Sequence, residues 1–416
     1  MIYLILKISY NHGMNIALFS DCYAPTKNGV VTVIIQLRKM LEQMGHHVVV
    51  VAVGTGDNDD PNVLTVPSVP LGLGTDQMMG FPHMSKIIKF LKEHSIEIIH
   101  CHTEFYVAHA AKTTGRKLHI PVVVTTHTMW EDFYMHYFPI AKYVFPVKLL
   151  RKLAKRLYKK FYAIINVSEK AETYFKQPFL LPHTPSAIIP NAIDVDAFRK
   201  RSATPEDIER IKNKWGIKQE DTVLLFVGRI AEEKRVIELL DICGNVISKN
   251  PSAKMLFVGN GPAFDELENI AATKSYRDRI VFTGYVDWAD ISSYYKLGDI
   301  FVTASMSEMH SMTILEAMFS GLPVVTRDDT SYHDTIFNGE NGYLAQTDSE
   351  MEERICELVK DKEKRLAFGK NSEKISAGFS IDVHTKKTVA FYQAALDAFP
   401  QPLNEAKLRE IVYNIN

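Results

Sequence analysis

Residues 307–325 read SEMHSMTILEAMFSGLPVV and carry the clearest indication of the fold. Glu308 and Glu316 bracket seven residues, and a helix is predicted to begin between them. One apolar run, residues 300–302, precedes the stretch and another, residues 324–326, ends it, and both predict strands. A strand, a loop, a helix and a second strand in this order indicate parallel strands joined by a helical connection.

The rest of the chain continues this alternation of short apolar runs with amphipathic helical stretches. In the first predicted helix, one apolar face ends at Gly45 and consists of Val33, Leu37, Met40, Leu41 and Met44. The strand candidates are residues 15–19, 47–53, 96–100, 122–125, 163–167 and 187–189 in the first half, and 223–227, 254–258, 280–283, 300–302 and 324–326 in the second. The alternation predicts an α/β fold of doubly wound parallel sheets with helices on both faces.

The chain has 416 residues, which is longer than a chain that ordinarily folds around a single hydrophobic core. This length predicts two domains. The charged stretch 194–221, which contains Pro205, is interpreted as the linker. We expect a Rossmann-like N-terminal domain over residues 1–200 and a second Rossmann-like domain over residues 201–380. A final helical segment, residues 381–416, is expected to cross back onto the first domain.

Composition restricts the function classes. Hydrophobic residues make up 46% of the chain and charged residues 23%, as in ordinary globular proteins. A formal net charge of -1 and a pI near 7.0 argue against a nucleic-acid binder. Cys22, Cys101, Cys243 and Cys356 have neither CxxC nor zinc-finger spacing, so they are interpreted as incidental thiols of a reducing compartment. Residues 1–13 are interpreted as a non-native extension, no apolar run is long enough to cross a bilayer, and a cytoplasmic protein is expected.

The pair of glutamates has a chemical use. In doubly wound sheets, ligands bind beyond the carboxyl ends of the strands. The predicted helix N-terminus presents backbone N–H groups and a positive dipole, which suit a diphosphate. Glu308 would lie on the loop, and Glu316, one helical turn in, could accept from two ribose hydroxyls. The alternative is an ordinary loop–helix junction with glutamates at favourable positions.

A second signal, residues 227–234 (VGRIAEEK), follows a predicted strand. Arg229 and Lys234 would lie at its carboxyl end, where two cations can neutralise a diphosphate leaving group. A solvated charged turn is the alternative interpretation.

Together these motifs resemble glycosyltransferase family 4, which has the GT-B fold of two Rossmann-like domains facing a central cleft. Three further segments match the family: residues 190–194 (PNAID) its hinge, residues 257–262 (FVGNGP) its second glycine turn, and residues 282–286 (FTGYV) its base-binding segment. The resemblance covers roughly residues 14–400. It implies a retaining transferase that uses a nucleotide sugar, with the second domain binding the donor and the first binding the acceptor.

Residue by residue, the resemblance implies a donor site and two catalytic groups. His127, in the segment 125–128, and Glu308 would face, position and polarise the transferred sugar. The residues implied to bind the donor are Gly29, Arg229, Lys234, Val286, Met312, Thr313 and Glu316. The family often has Phe-Gly where His310 and Ser311 stand here, and this departure bears on the identity of the donor sugar.

No metal or cofactor is expected beside the nucleotide sugar. His100 and His102 flank Cys101 and invite a metal hypothesis, which we reject because the family's similar segment is structural. Asp194 and Asp196 form an Asp-x-Asp by chance within the hinge.

Within the family, residues 127–137 and 19–25 look most like diacylglycerol glucosyltransferases. Residues 147–162 contain no acidic residue. One helical face of this stretch is predicted to be apolar and consists of Leu150, Leu153, Leu157 and Phe161. The cations expected to contact a membrane are Lys148, Arg151, Lys152, Lys155, Arg156 and Lys159. A basic amphipathic helix can lie on an anionic membrane, although it can also pack on its own domain with a solvated basic face.

The sequence therefore predicts transfer of a hexose, with glucose from UDP-glucose as the expected donor group, onto diacylglycerol by a protein peripherally bound to the cytoplasmic membrane face. Two alternatives remain open at this point. One is a family 4 enzyme that acts on a soluble sugar, a phosphoinositide or a glycan, and the other is a non-catalytic nucleotide-sugar-binding protein.

Overall fold

The computed structural model describes residues 13–26, 29–54, 60–70, 78–129, 147–200 and 204–415. Their contacts divide the chain into two compact units. Unit 1 is Met1–Asn191 together with Ile381–Asn416, and unit 2 is Ala192–Ser380. None of the described helices combines the length and the apolar character needed to span a membrane.

Unit 1 is built on a parallel sheet of seven strands in the order β3-β2-β1-β6-β7-β8-β9. A separate antiparallel pair, β4 and β5, completes its strands. The strands are β1 (Asn15–Ser20), β2 (His47–Val53), β3 (Val63–Val66), β4 (Ser68–Pro70), β5 (Met78–Gly80), β6 (Ile98–Cys101), β7 (Val122–Thr126), β8 (Ala163–Asn166) and β9 (Ser186–Ile188). The order reverses beside β1, so the strand ends around β1 and β6 form a switch point of the kind where doubly wound sheets bind ligands.

The helices of unit 1 come from both ends of the chain. They are α1 (Gly29–Gln43), α2 (Met84–Glu93), α3 (Tyr106–Leu118), α4 (Val147–Tyr158), α5 (Glu169–Phe175), and at the C-terminal end α14 (Ile381–Ala398) and α15 (Glu405–Tyr413). Phe391, Tyr392 and Leu408 of the last two helices are buried in one core cluster with Leu37 of α1 and Ile16 of β1. The C-terminal segment is thus an integral part of the unit 1 core.

Unit 2 is built on a parallel sheet of six strands in the order β12-β11-β10-β13-β14-β15. The strands are β10 (Thr222–Val227), β11 (Ala253–Val258), β12 (Ile280–Phe282), β13 (Ile300–Thr303), β14 (Val324–Arg327) and β15 (Gly342–Ala345). The helices are α6 (Val195–Lys200), α7 (Pro205–Trp215), α8 (Val236–Lys249), α9 (Phe264–Ala272), α10 (Ile291–Tyr295), α11 (Met312–Phe319), α12 (Asp348–Lys360) and α13 (Lys362–Ser376). Successive side chains of β10 enter two different cores, Leu224 and Phe226 one, and Val223 and Leu225 the other. Both faces of the sheet are therefore covered, as the run of apolar residues predicts.

The predicted α/β architecture of two doubly wound units is confirmed, and every predicted strand is present within two residues of its predicted ends. The helix face predicted for α1 is wrong at its end, because Met44 lies beyond the last helical residue, Gln43, and is 37% exposed. Four short strands escaped prediction, namely β3, β4, β5 and β15. β4 ends at Pro70, β5 ends at Gly80 and β15 begins at Gly342, and proline and glycine are depleted in strands.

The linker predicted at residues 194–221 is wrong. This stretch forms α6 and α7, and Phe198 and Ile217 are buried in the core of unit 2. Pro205 does not interrupt a helix but begins one, behind a capping box in which Thr204 and Asp207 bond each other's backbone N–H. The charges are the solvated face of α7, in which no residue is fully buried.

The contacts place the first unit boundary after Asn191 rather than at residue 200. Ile193 already belongs to unit 2, because its backbone N–H donates to Phe379 O at 3.1 Å and it forms a parallel bridge with Ser380. The N-terminal extension inferred for residues 1–13 lies outside the described residues except for Gly13.

Candidate active site

Three glycine turns follow neighbouring strands of unit 2 and stack backbone against backbone. The N–H of Gly228 donates to Val258 O at 3.0 Å, and the N–H of Gly259 donates to Gly284 O at 3.0 Å. Gly259 has a φ of +140°, and a Cβ there would lie 1.9 Å from Gly228 O. No side chain fits this approach, so the turn after β11 requires glycine. The turns after β10, β11 and β12 form one layer at the carboxyl edge of the sheet.

The two predicted diphosphate cations lie in the turn after β10. Arg229 is 45% exposed, and its Nη1 lies 3.6 Å from Glu233 Oε1. Lys234 ends a short 3-10 turn, Glu232–Lys234, and its Nζ forms an ion pair with the Glu308 carboxylate, each side chain being 22% exposed. The pair joins the two sequence motifs, which are 74 residues apart along the chain.

The residue after Lys234 holds this turn in an unusual conformation. Arg235 has a φ of 51°, in the left-handed region that side-chain-bearing residues rarely adopt. Its guanidinium donates to Asp348 at 2.9 Å and to Glu238 at 3.2 Å. These ion pairs fix the Arg235 side chain while its backbone turns from Lys234 into α8.

The loop that carries Glu308 is held by hydroxyl groups. Ser305 Oγ lies 3.4 Å from Glu308 Oε1, and the Tyr332 hydroxyl donates to Ser305 O at 2.9 Å. Ser307 Oγ donates to Glu233 O at 3.0 Å and ties the loop to the cationic turn. Of the predicted neighbours, Lys234 and Glu308 are in direct contact, and Arg229 lies in the same turn as Lys234, beside Glu233.

His310 and Ser311, where the sequence departs from its family, have separate structural roles. The His310 side chain is fully buried, with its Nε2 3.5 Å from Asp334 Oδ2 and its ring 5.7 Å from that of Phe379. Ser311 is the N-cap of α11, and its Oγ accepts from Ile314 N at 3.4 Å. The His310 ring therefore points into unit 2. Ser311 caps the helix at a position where the family often has a glycine with a freer backbone.

Helix α11 begins directly after Ser311 and presents the predicted donor-binding residues. Met312 and Thr313 are partly exposed in its first turn, which contains no acidic residue. The positive end of the helix dipole therefore lies in the same loop as Glu308 and is available to an anion.

The Glu316 carboxyl group receives two hydrogen bonds from neighbouring elements. The Tyr295 hydroxyl donates to Oε2 at 2.6 Å, and the Trp288 indole also bonds to the carboxyl. Burial raises the pKa of Glu316 to about 7, and these two hydrogen bonds act against that rise. Val286, the predicted base contact, is partly buried against the same core cluster as Trp288.

In unit 1, His127 follows β7 and belongs to a group of histidines. Its Nε2 lies 3.4 Å from His102 Nδ1, and the two rings stack at 5.6 Å. Burial, with a smaller contribution from nearby His384, lowers the pKa of His127 to about 4. His127 is therefore a neutral imidazole near pH 7 and can exchange hydrogen bonds without carrying charge.

His100 and His102 have structural surroundings. His100 Nε2 lies 2.7 Å from Thr125 Oγ1, and its Nδ1 lies 2.5 Å from the Tyr392 hydroxyl. Burial lowers the pKa of both histidines well below the usual value. Among the described residues, no group of three or more His, Cys, Asp or Glu side chains is arranged to hold a metal ion. Asp194, of the Asp-x-Asp sequence, accepts from Ala197 N at 2.9 Å and caps α6.

Gly29, the predicted phosphate contact of unit 1, is the first residue of α1. Apart from its chain neighbours and the backbone of its own helix, none of the described residues has an atom within 4 Å of where a Gly29 Cβ would lie. Internal packing therefore leaves this position open to close approach. Lys27 and Asn28 of the same predicted loop, and Trp130–Tyr137 of the predicted acceptor segment, lie outside the described residues.

Helix α4 differs in one respect from its predicted amphipathic pattern. Leu150, Ala154 and Tyr158 are buried, whereas Leu153, predicted on the buried face, is 46% exposed and lies beside Leu149, which is 47% exposed. Arg151 stands apart from the other predicted membrane cations, since its guanidinium lies 4.3 Å from the Phe179 ring centre and it is only partly exposed. The exposed cations among those predicted are Lys148, Lys152, Lys155, Arg156 and Lys159.

Sequence reasoning missed the groups that support the site. Tyr295 and Trp288, which bond to Glu316, are two of them. A third is Asp21, whose carboxyl accepts from Thr103 Oγ1 at 2.7 Å and from Val107 N at 3.1 Å, and so joins the loops after β1 and β6. These partners are 21 or more residues apart along the chain, so no local pattern marks them.

The chain folds into two parallel-sheet units. One of them carries cations and carboxylates beside a helix N-terminus at the carboxyl edge of its sheet. These features together define a GT-B glycosyltransferase. Family models agree: Glycosyltransferase Family 4 matches residues 27–197, and Glycosyl transferases group 1 matches residues 207–375. The chain belongs to glycosyltransferase family 4.

Among its relatives are two alpha-monoglucosyldiacylglycerol synthases. That of Acholeplasma laidlawii is 26% identical over 400 residues, covering 94% of this chain and 100% of that protein. That of Streptococcus pneumoniae is 28% identical over 351 residues, covering 83% of this chain and 78% of that protein. The crystal structure of Anabaena HepE in complex with UDP matches with a TM-score of 0.71 at 18% identity, over 90% of this chain and 98% of that one, and shows the shared fold.

Proposed function

We propose that this enzyme transfers glucose from UDP-glucose to diacylglycerol at an anionic membrane surface, with retention of the anomeric configuration. The observation that carries the proposal of glycosyl transfer is the Lys234–Glu308 ion pair beside the N-terminus of α11. The similarity to two glucosyldiacylglycerol synthases supports the lipid acceptor.

In the proposed reaction, the bond between the sugar C1 and the diphosphate oxygen breaks while the acceptor hydroxyl oxygen bonds to C1 on the same face. The hydroxyl proton passes to the departing phosphate oxygen. Arg229, Lys234 and the backbone N–H groups at Met312 and Thr313 stabilise the charge that develops on the diphosphate, and this is their catalytic contribution. No metal ion takes part in the proposed mechanism.

The other site residues bind and orient the donor. Glu316 accepts from the ribose hydroxyls, the Val286 backbone meets the base, and Gly29 admits the phosphates. Glu308 and neutral His127 bond to hydroxyls of the transferred glucose and polarise it. A neutral imidazole suits this role because it carries one donor and one acceptor at once.

The proposed contact with the membrane is the outer face of α4. Leu149 and Leu153 are four residues apart and both exposed, and exposed lysines lie around them. Apolar side chains among cations are the pattern by which helices bind the interface of anionic bilayers. The protein is accordingly proposed to be peripheral on the cytoplasmic membrane face.

The test is transfer of labelled glucose from UDP-glucose into lipid, with diacylglycerol vesicles that contain or lack anionic phospholipid, and with EDTA present throughout. We expect a glucolipid whose yield rises with anionic lipid. Transfer only to soluble sugars, phosphoinositides or glycans would contradict diacylglycerol as the acceptor but would leave the proposed reaction class, glycosyl transfer, intact. UDP-glucose binding without turnover on any acceptor would identify a non-catalytic nucleotide-sugar-binding protein.

A further inference from the structure

The Glu316 carboxyl lies between donors from two different elements. Tyr295, at the end of α10, donates its hydroxyl to Oε2 at 2.6 Å and lies 3.3 Å from Thr313 O. Trp288, in the segment between β12 and α10, bonds to the same carboxyl through its indole. Tyr295 is 0% exposed, whereas Glu316 keeps partial exposure. Two protein donors therefore converge on the carboxyl of a residue that is not fully buried.

The number of acceptor sites on the Glu316 carboxylate shows how these two hydrogen bonds could affect ligand binding. An ionised carboxylate offers about four lone-pair sites. Tyr295 and Trp288 occupy two of them, which leaves about two for the two hydroxyls of a ribose. A protonated carboxyl would lose one acceptor site to its own proton and could no longer serve all four donors.

We propose that Tyr295 is a positioning residue that holds the Glu316 carboxylate, ionised and correctly oriented, to accept both ribose hydroxyls of the nucleotide sugar. This inference rests on the proposed function of Glu316 and adds a residue that acts through it. It applies to the ribose, so it holds for any nucleoside diphosphate sugar that the enzyme binds.

The pKa of Glu316 is about 7, so this carboxyl group changes its charge near neutral pH. Helix α11 packs against α10, α13 and β14, and of the titratable groups described on these elements it is Tyr295 that faces the carboxyl. Burial holds the pKa of Glu316 at about 7, and the Tyr295 hydroxyl lowers it. Removing that hydroxyl raises the pKa, so a larger fraction of Glu316 is protonated at pH 7.

The packing of Tyr295 allows a clean substitution. Its ring lies 6.0 Å from the Phe198 ring and 6.2 Å from the Phe301 ring, in contacts that phenylalanine can also make. Tyr295→Phe therefore removes the hydroxyl and keeps the core. Tyr343→Phe is the matched control, because Tyr343 is also a buried tyrosine of unit 2 that donates to a carboxylate, Glu357, at 2.9 Å.

The experiment measures UDP-glucose affinity and turnover of the full chain between pH 5.5 and 9, with the 2′-deoxyribose analogue as a second ligand. UDP-glucose is a diphosphate diester with no titration of its own near pH 7, so the pH profile reports the protein. For Tyr295→Phe we expect about tenfold weaker affinity at pH 7 and a profile displaced upward by about one pH unit. At saturating donor, kcat should stay within about twofold, and Tyr343→Phe should match the wild type.

Three results separate the possibilities. The loss caused by Tyr295→Phe should shrink to about threefold or less with the deoxyribose analogue and disappear in a Glu316→Gln background, where no carboxylate remains to be held. A loss that persists in that background, or an unchanged pH profile, overturns the inference and leaves the proposed function intact. Failure of the wild type to bind any nucleotide sugar overturns both.

Discussion

Lys234 and Glu308 form an ion pair in unit 2, so each limits what the other can bind. In the proposed reaction, Lys234 serves the donor diphosphate, and the Glu308 carboxylate competes for the same cation. Glu308→Gln keeps the size of the side chain and removes its charge. We expect UDP to bind about threefold more tightly while kcat falls about 100-fold, because the glucose loses its charged partner. Calorimetric titration with UDP and initial rates of glucose transfer measure the two effects.

Glu352→Gln is the control for this substitution, because Glu352 also pairs with a lysine, Lys249, at the surface of unit 2. Both UDP affinity and kcat should stay within about twofold, since exposed pairs contribute about 1 kcal/mol or less. Weaker UDP binding by Glu308→Gln would contradict the prediction and would mean that Glu308 holds the cationic turn in place rather than competing with the diphosphate.

Sequence patterns marked the charged groups of the candidate site but not the residues that support them. Arg229 and Lys234 stand at the end of a clear strand, and Glu308 and Glu316 bracket a helix start, so local spacing places them. Tyr295 lies in the short helix ISSYY, where a buried tyrosine of the core and a tyrosine that orients a carboxylate have the same local pattern. The side-chain direction of His310 was equally undetermined, because it depends on Asp334 and Phe379, which are distant in sequence.

Helix α4 allows apolar and electrostatic contributions to membrane binding to be tested separately. Replacing both Leu149 and Leu153 with Gln removes exposed apolar surface and leaves the charge unchanged. We expect about thirtyfold weaker binding to vesicles that contain anionic phospholipid, because each half-exposed leucine contributes roughly 1 kcal/mol when it enters the interface. Vesicle sedimentation measures the binding, and thermal unfolding should be unchanged because neither side chain is buried.

A second variant, in which Lys148, Lys152 and Lys155 are replaced with Gln, tests the electrostatic contribution. Binding to anionic vesicles should fall about 100-fold, at about 1 kcal/mol for each lysine, while binding to neutral vesicles stays the same. Leu366→Gln, at an exposed leucine of unit 2, is the control for the leucine pair and should leave vesicle binding unchanged. Vesicle binding that survives both sets of substitutions would contradict a membrane role for α4.

Two predictions about individual elements, the linker at 194–221 and the buried face of α4, were wrong for physical reasons. The stretch 194–221 was interpreted as a linker because it is charged and contains Pro205, yet the proline occupies the first turn of α7, where its missing N–H costs nothing. In α4, the leucines at 150, 153 and 157 suggested the buried face. Packing selects Leu150, Ala154 and Tyr158 instead, and small alanine does not stand out in a hydrophobic pattern.

The buried histidines of unit 1 make the stability of this unit depend on pH. Burial lowers the pKa of His100, His102 and His127, so they stay neutral in the native state. In the unfolded chain each takes a proton below about pH 6.5, so the unfolded state binds more protons and stability falls as the pH falls. The loss approaches about 1.4 kcal/mol per pH unit for each histidine. Scanning calorimetry should show a steep fall in the unfolding temperature of unit 1 from pH 6.5 to pH 5.

His102→Gln removes one of these groups and should reduce this pH dependence by less than a third, because burial also lowers the pKa of His46 and His47 in unit 1, whatever the effect on stability at pH 8. His83→Gln changes an exposed imidazole and should leave the pH dependence as in the wild type. An equally steep fall in His102→Gln would contradict the assignment of acid sensitivity to the histidine group.

The division into units predicts which part of the chain folds by itself. Two core clusters lie wholly within Ala192–Ser380, and the two ends of this segment pair, with Ile193 N donating to Phe379 O at 3.1 Å. We expect the excised segment to unfold cooperatively and to bind UDP within about tenfold of the full chain, without transferring glucose. Circular dichroism during heating and UDP titration check these properties.

Removal of Ile381–Asn416 is the complementary truncation, and its expected result is the opposite. It takes Phe391, Tyr392 and Leu408 out of the core of unit 1 and leaves His100 Nδ1 without its buried hydroxyl partner. Losing several large buried side chains costs about 3 kcal/mol or more for each, which exceeds the stability of an ordinary domain. Unit 1 should therefore fail to fold, while the UDP-binding transition of unit 2 persists in the same chain. A truncated protein that kept the acid-sensitive transition of unit 1 would show that the C-terminal helices cover this core without being needed to form it.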